Sequence, residues 1–103
     1  MNHVHLIGKI SSEPRIFEQQ DGRKVAQFML TTKDVYLNAQ GEKKHTTHWH
    51  KMSAWGSWVA VLETLGEKGL NISIEGRLIS KFYGKAGQKR IYSEVEINDL
   101  VLL

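Results

Sequence analysis

The sequence contains no cysteine and a single proline, and its apolar runs are short. The absence of cysteine excludes disulfides, thiolate metal sites and a cysteine nucleophile, and it fits a reducing cytoplasm. The longest apolar run, residues 58–62, is far too short for a helix that spans a bilayer. The N-terminus lacks the basic stretch and apolar run of a secretion signal. We therefore expect a cytoplasmic protein with no membrane partner.

The 103 residues are enough for one domain, residues 1–103, with one modest core. Hydrophobic residues make up 41% and charged residues 24%, as in ordinary globular proteins. The net charge of +3 is unevenly distributed, because basic residues fall in two acid-free segments. Such clusters favour a polyanionic partner, although lysine-rich loops also serve solubility alone. The clusters are Lys43, Lys44 and Lys51, and then Arg77, Lys81, Lys85, Lys89 and Arg90.

Residues 47–55 contain the most informative pattern in the chain. Read as a strand, this segment sends Trp49, Lys51 and Trp55 to one face and His48 and His50 to the other. A lysine between two indoles makes a poor core face, because a buried ammonium group loses its water. It makes a good surface for an unpaired nucleic-acid strand, with rings for bases and a cation for phosphate. The alternative is a half-buried strand whose tryptophans pack under loops.

Alternating apolar and polar residues predict an all-β fold with one short helix. Gly8 indicates a bulge or bend in the first strand, and Ser57 is a plausible helix N-cap. Trp58 belongs to an apolar helical stripe and is expected to pack against the core. Three strands, a helix and two strands are the order of an OB-fold, a five-stranded Greek-key barrel; an immunoglobulin-like sandwich would need about seven strands. The predicted strands are residues 4–10, 25–33, 47–55, 70–83 and 91–97, with a short extended piece at 15–18 and a docked tail at 100–103.

A series of short segments, taken in order, resembles one known family. They are NHVHLIG (2–8), EP (13–14), VAQFMLTT (25–32), THWH (47–50), WG (55–56), LGEKG (65–69) and IEGRL (74–78). The chain is similar over its whole length to the bacterial single-stranded DNA-binding protein (SSB) family. The resemblance implies an OB-fold protein that forms a homo-tetramer, less often a dimer. It also implies a nucleoid-associated protein that coats single-stranded DNA in replication, recombination and repair.

The resemblance assigns base stacking to Tyr36, Trp49, Trp55 and Tyr83. Strand parity already selects all of these except Tyr36, which needs a bend after Lys33 to reach the same face. The expected phosphate contacts are the cations of the two basic clusters together with Lys33, so the full set is Lys33, Lys43, Lys44, Lys51, Arg77, Lys81, Lys85, Lys89 and Arg90. No residue set resembles a base-edge code, so we expect little sequence preference.

Histidines suggest assembly more than metal binding. His3 and His5 lie opposite the core face of the first strand, and His50 resembles an interface residue of the family. These three histidines are therefore predicted to lie in an oligomer interface. His48 and His50 share a strand face, but no cysteine or carboxylate stands at a spacing that would complete a zinc site. We expect no metal and no cofactor.

The tail of the family and the possible function classes leave alternatives open. The family usually has a long tail with an acidic tip that recruits partner enzymes, and the chain here stops at Leu103. Either the protein is a tail-less variant or the chain is trimmed to the domain, so tail-dependent partner enzymes are doubtful. The primosomal replication proteins, dimeric OB-folds of similar length, are the second interpretation. An enzyme would need a nucleophile or paired acids that the aromatic face lacks, and a sugar- or protein-binding OB-fold would not need the basic loops.

Overall fold

The described part of the chain forms six strands and one helix, in the order expected from the sequence. The structure is a computed structural model, and it describes residues 1–84 and 90–103. The predicted strands 25–33 and 47–55 are longer in the structure because their hairpin continues as a paired ribbon, and the last strand is longer because its C-terminal part pairs with the beginning of the strand before it. The elements are β1 (Val4–Ile10), β2 (Arg15–Glu18), β3 (Lys24–Leu37), β4 (Lys43–Trp55), α1 (Ser57–Leu65), β5 (Asn71–Tyr83) and β6 (Arg90–Leu102).

Five of the strands close into a barrel. Neighbouring strands pair in the order β1–β5–β6–β4–β3, and β3 returns to β1 through Lys9↔Thr31 and Ile10↔Leu30. β4 and β6 run parallel, a pairing that the Greek-key order requires, whereas the other pairs are antiparallel. The short β2 pairs with the beginning of β3 and adds no strand to the barrel wall. The predicted OB-fold, with its helix between the third and fourth barrel strands, is confirmed.

Alternate residues of each barrel strand form the core, as the period of two predicts. Met52 and Ala54 of β4 are fully buried in the core; of the opposite parity, Trp49 is exposed and Lys51 and Trp55 are half-buried, whereas Ser53 between them is buried. Each buried Leu, Ile, Phe or Met side chain stabilises the fold by about 1.5–3 kcal/mol. The positions of Trp49, Lys51 and Trp55 thus follow from the burial of their neighbours. The other core residues of the strands are Ile10, Ala26, Phe28, Leu30, Ile72, Ile74, Val95, Ile97 and Leu100.

Gly8 marks a close approach of strands at the point where the barrel closes. The β1–β5 register is unbroken from Val4 to Lys9, so Gly8 is not a bulge in this pair, and the expected bend stays a prediction. A methyl group on Gly8 would instead collide with the carbonyl oxygen of Thr31 on β3. The register irregularity that helps the sheet to curl lies between Glu75 and Gly76 of β5.

The helix α1 closes one end of the barrel. It begins at Ser57, and Gly56 is its N-cap, with φ of 64° and no side-chain cap, so the prediction of Ser57 as N-cap is wrong. A positive φ favours glycine, and this conformation turns the chain sharply from β4 into the helix. Trp58 packs against the core, as expected, and its Nε1 donates a hydrogen bond to the carbonyl of Asn98 at 3.3 Å.

The apolar tail is the end of β6. Leu100 pairs with Ile74 and is buried, which confirms that this segment is docked. Val101 and Leu102 continue the strand but remain largely exposed. The last strand does not end at residue 97 as expected. Asn98 and Asp99 are exposed polar residues, and the strand continues past them to Leu102.

Candidate nucleic-acid interface

The outward face of β4 presents two indoles and an ammonium group. Trp49 is 62% exposed, whereas Lys51 and Trp55 are half-buried. In the β3–β4 register Trp49 lies opposite Thr31, Lys51 opposite Met29 and Trp55 opposite Val25. We call Trp49, Lys51 and Trp55 the β4 platform. The two indoles are six residues apart, which is roughly 20 Å along a strand, so they are available to separate bases of one bound strand.

Tyr92 of β6 belongs to the same outer surface and was missed in the sequence analysis. The ammonium of Lys51 lies 4.9 Å from the centroid of the Tyr92 ring. A cation–π contact at a partly exposed site contributes about 0.5–1 kcal/mol. The contact also holds the Lys51 ammonium on the side of the β4 platform that faces β6. The parity of Tyr92, opposite to that of the buried Val95, was the available signal in the sequence.

The predicted phosphate contacts of β5 are already paired with acids of β6. Arg77 Nη2 lies 3.1 Å from Glu96 Oε1, and Lys81 Nζ lies 2.6 Å from Glu94 Oε1. The hydrogen bond to Glu94 raises the pKa of Lys81, although partial burial acts in the opposite direction. Glu94 is only 1% exposed. These two cations therefore have less charge available for phosphate than their number suggests.

The cations of the β3–β4 hairpin are more available. Lys33, Lys43 and Lys44 are exposed, and within residues 1–84 and 90–103 only Lys44 has an acidic neighbour, Glu42 at 3.5 Å. An exposed ion pair of that length contributes little and is easily exchanged for another anion. Lys33 and Lys43 share the parity of Trp49 and extend the basic surface beyond that end of the β4 platform, whereas Lys44 lies opposite Tyr36 on the other side of the hairpin.

Tyr36 lies on the other side of the β3–β4 hairpin by register. Pairing continues without a shift from Leu30↔His50 to Leu37↔Lys43, so the bend that Tyr36 needed after Lys33 is absent from this hairpin. Tyr36 shares its parity with the buried Phe28 and is itself 51% exposed. The stacking role of Tyr36 stays a prediction, and the unshifted register disfavours it because Tyr36 and Trp49 then lie on opposite sides of the hairpin.

The remaining predicted contacts lie on or beyond the end of the β5–β6 hairpin. Tyr83 is the last residue of β5 and pairs with Arg90, the exposed first residue of β6. Lys85 and Lys89 lie outside the described residues. Their predicted contacts with phosphate, like the stacking role of Tyr83, stay predictions.

The histidines lie away from the β4 platform. His3 and His5 are exposed on β1, and His5 Nε2 lies 3.0 Å from Ser73 Oγ. His50 Nε2 lies 2.9 Å from Thr32 Oγ1 on the core side of the β3–β4 pair. Partial burial and the neighbouring His48, which itself lies 3.1 Å from Asp34, lower the pKa of His50. In the part of the chain that the structure describes, no three His, Asp or Glu side chains are grouped to hold a metal ion.

This combination of fold and surface defines a class. A small closed barrel with exposed aromatic rings beside cations on its outer sheet is typical of OB-fold proteins that hold single-stranded nucleic acid. The chain belongs to the single-strand binding protein family, whose model matches residues 1–103. Across the described ranges, no helix is long and apolar enough to cross a membrane.

Individual relatives agree in fold and sequence. The chain is 30% identical over 105 residues to single-stranded DNA-binding protein 1 of Chlorobaculum tepidum, matching all of this chain and 65% of that protein. It thus spans about two thirds of the length of this curated relative. A Plasmodium falciparum SSB in complex with ssDNA is 28% identical, with a TM-score of 0.92 over 100% of this chain and 95% of that one. The wild-type Thermus aquaticus single-stranded DNA binding protein is 25% identical, with a TM-score of 0.85 over 100% and 50%.

Proposed function

We propose that this domain binds single-stranded DNA without sequence preference and protects it during replication, recombination and repair. The observation that carries the proposal is the β4 platform, with Trp49 open to solvent and Lys51 fixed against Tyr92. A large indole at an exposed strand position stabilises nothing in the barrel core, whereas it offers a flat surface to a base. The membership of the family and the likeness to an SSB structure with ssDNA support the same ligand.

Stacking and charge act together in the proposed complex. Each base stacked on Trp49 or Trp55 contributes about 1–3 kcal/mol, and any base is accepted because every base has a π face. Cations around the β4 platform bind phosphates and release counterions, so affinity falls as salt rises. The logarithm of the binding constant falls linearly with the logarithm of the salt concentration, and this salt slope is about −0.7 for each phosphate contact on a single strand. Lys33, Lys43 and Lys51, which share the side of the hairpin that carries Trp49, are the main phosphate contacts in this scheme.

The proposed assembly is a homo-oligomer, with a tetramer favoured over a dimer. β1 supports it, because Val4 to Gly8 pair with β5 on one edge only, whereas β3 joins the other edge first at Lys9. An unpaired strand edge is a template for pairing with another chain. We place His3 and His5 in this interface and His50 in a second contact. The assembly acts in the cytoplasm at the nucleoid.

Titration of the intrinsic tryptophan fluorescence with oligo-thymidine at two salt concentrations tests the ligand. We expect strong quenching, because a stacked base shares its surface with the indole, and weaker binding at the higher salt concentration. A neutral oligosaccharide provides the matched control for the sugar-binding alternative. Absence of quenching by DNA at low salt would contradict the proposed function.

The oligomeric state is tested separately by light scattering with and without a long oligonucleotide. A mass of four chains supports the tetramer, and a mass of two supports the dimer. A monomer at micromolar concentration would contradict the proposed assembly, but it would not contradict the proposal that the ligand is single-stranded DNA. Replacement of His50 with tyrosine is expected to reduce the mass, because a bulky ring does not fit beside Thr32.

A further inference from the structure

A cleft lies beside Trp55, at the end of the β4 platform that faces the helix. It measures about 510 Å³ and lies between the turn that joins β2 to β3 and the first two turns of α1. Two adjacent cations, Arg23 and Lys24, form one wall, and the indole of Trp55 lies next to them. Its lining is completed by Gly56, Val59, Ala60 and Glu63. Neither basic residue was among the contacts expected from the sequence.

The Arg23 side chain is held in place although it is exposed. Its guanidinium carbon lies 5.3 Å from the centroid of the Trp55 ring. Asp21 Oδ2 accepts a hydrogen bond from Arg23 Nε at 2.7 Å, and Asp21 Oδ1 accepts one from the backbone N–H of Arg23 at 3.0 Å. These two bonds lower the pKa of Asp21, so the carboxylate stays charged over the physiological range.

One hydrogen bond from Nε and a ring contact restrict a side chain that would otherwise sample many rotamers. A residue restricted in this way loses less entropy when it binds a ligand. The planar guanidinium still has donors that Asp21 does not occupy, and its fork geometry matches a phosphate. Arg23 therefore has the properties of a preorganised anion contact above the ring of an indole.

The other walls of the cleft fit a nucleobase. Ala60 of the helix is exposed and offers apolar surface, Val59 adds little because it is only 5% exposed, and Trp55 offers its ring beside the Arg23 guanidinium. Glu63 is the acidic residue of the lining, and it lies on the helix, so a phosphate is directed to the Arg23 and Lys24 side. This distribution of charge gives a bound nucleotide a defined orientation.

We propose that this cleft is an additional nucleotide subsite, in which Arg23 and Lys24 bind the phosphate of single-stranded DNA that continues past Trp55 towards α1. The inference rests on the proposed function and extends the path of the strand beyond the β4 platform. Asp21 is a positioning residue in this subsite, because it touches Arg23 and not the nucleotide.

Oligo-thymidines of increasing length, titrated into wild type and the Arg23→Ala variant across a salt series, test the subsite. We expect about a ten-fold loss of affinity at low salt for long oligonucleotides, as for the loss of one hydrogen bond between charged groups. The salt slope becomes shallower by about 0.7, which corresponds to one lost phosphate contact. Oligonucleotides too short to extend from Trp49 past Trp55 show a smaller loss.

Matched variants separate this subsite from a general charge effect. Lys68→Ala removes an exposed cation on the loop after α1 and should leave the slope unchanged. Arg23→Lys should keep the slope but recover only part of the affinity, because an ammonium lacks the planar fork. Asp21→Glu should weaken binding with an unchanged slope, since it moves the carboxylate by one methylene and displaces Arg23 without changing the charge.

Unchanged affinity and slope in Arg23→Ala, with normal binding by wild type, would overturn the subsite. Failure of wild type to bind any oligo-thymidine would instead overturn the proposed function. A thermal melt of each variant checks folding, and no change is expected because Arg23 and Asp21 are both largely exposed.

Discussion

The two hairpins that flank the β4 platform carry similar residues but differ in how their charges are used. In the β5–β6 hairpin, Arg77 faces Glu96 and Lys81 faces Glu94. In the β3–β4 hairpin, Lys33 and Lys43 have no acidic partner among the described residues. A basic residue in the sequence is thus not equivalent to a cation available for DNA. The partner across the strand decides how much of its charge remains for a phosphate.

Strand register is the physical reason for this difference. Arg77 lies directly opposite Glu96, and Glu94 lies opposite Ile79, two positions before Lys81 on β5. Directly opposed and diagonal residues on one face of an antiparallel pair are close enough for opposite charges to meet. The acids follow the basic cluster in sequence, but the hairpin folds them back onto it. The β3–β4 hairpin instead places Lys33 opposite Thr47 and Lys43 opposite Leu37.

The largest expected effect comes from Trp49, the most exposed indole of the β4 platform. Trp49→Ala should weaken binding to oligo-thymidine by about 1–3 kcal/mol, or roughly 5- to 150-fold, because one base loses its stacking partner. Tyr36→Ala is the matched control on the other side of the same hairpin, and we expect less than a two-fold change. Equal losses in the two variants, measured by fluorescence anisotropy of a labelled oligonucleotide, would mean that the bound strand contacts both faces of the hairpin.

A second test compares the cations of the two hairpins directly. Replacing Lys33 and Lys43, which share the Trp49 side of the hairpin, with alanine should make the salt slope shallower by up to about 1.4, for two lost phosphate contacts. Lys81→Ala should change the slope less, because Glu94 already neutralises that ammonium. The measurement is a titration series between low and moderate salt. A larger change of slope for Lys81→Ala than for the double variant would reverse the comparison.

Glu94→Gln should sharpen the comparison by freeing Lys81. The amide keeps the size of the carboxylate but removes its charge, so Lys81 becomes available to a phosphate. We expect affinity to rise about two- to three-fold at moderate salt and the slope to steepen by up to about 0.7. Glu96→Gln is the parallel variant for Arg77. Weaker binding by Glu94→Gln in a normally folded protein would show that the acid orients Lys81 for the DNA.

The smallest expected effect is on stability and involves the core-side face of the β3–β4 pair. The pKa of His50 is lowered from 6.5 in the folded chain, so the unfolded chain binds more protons as pH falls below that value. The free energy of unfolding is therefore expected to decrease as pH falls from about 6.5 to the lowered pKa, with no effect above this range. Thermal melts of wild type and His50→Gln between pH 8 and 5 measure this difference, with the exposed His45→Gln as control. Identical pH dependence in wild type and His50→Gln would contradict the prediction.

Much of the fold could be predicted because one rule, the alternation of apolar residues, acts along every strand. The outward direction of Trp49 and Lys51 follows from the burial of Met52 and Ala54, which the pattern already indicates. The alternation says nothing about Gly8, because glycine is favoured both by a bulge and by a close approach of two strands, and only the structure shows that it is the approach to Thr31. The alternation also fails at Ser57, where the backbone conformation of Gly56 replaces a side-chain cap.

The candidate site was only partly predictable, because its composition depends on pairs that are distant in sequence. Tyr92 meets Lys51 only because β4 and β6 run parallel as neighbours. Arg23 meets Trp55 because the turn before β3 lies beside the end of β4.

The sequence by itself determined the all-β barrel, the faces of its strands and the aromatic surface of β4, since these depend on local periodicity and on the family resemblance. Only the tertiary structure decided which cations are neutralised, on which side of its hairpin Tyr36 lies, and that Arg23 covers Trp55. These features depend on the register and neighbourhood of strands, and electrostatic and ring contacts act between whichever side chains the closed barrel brings within a few ångströms.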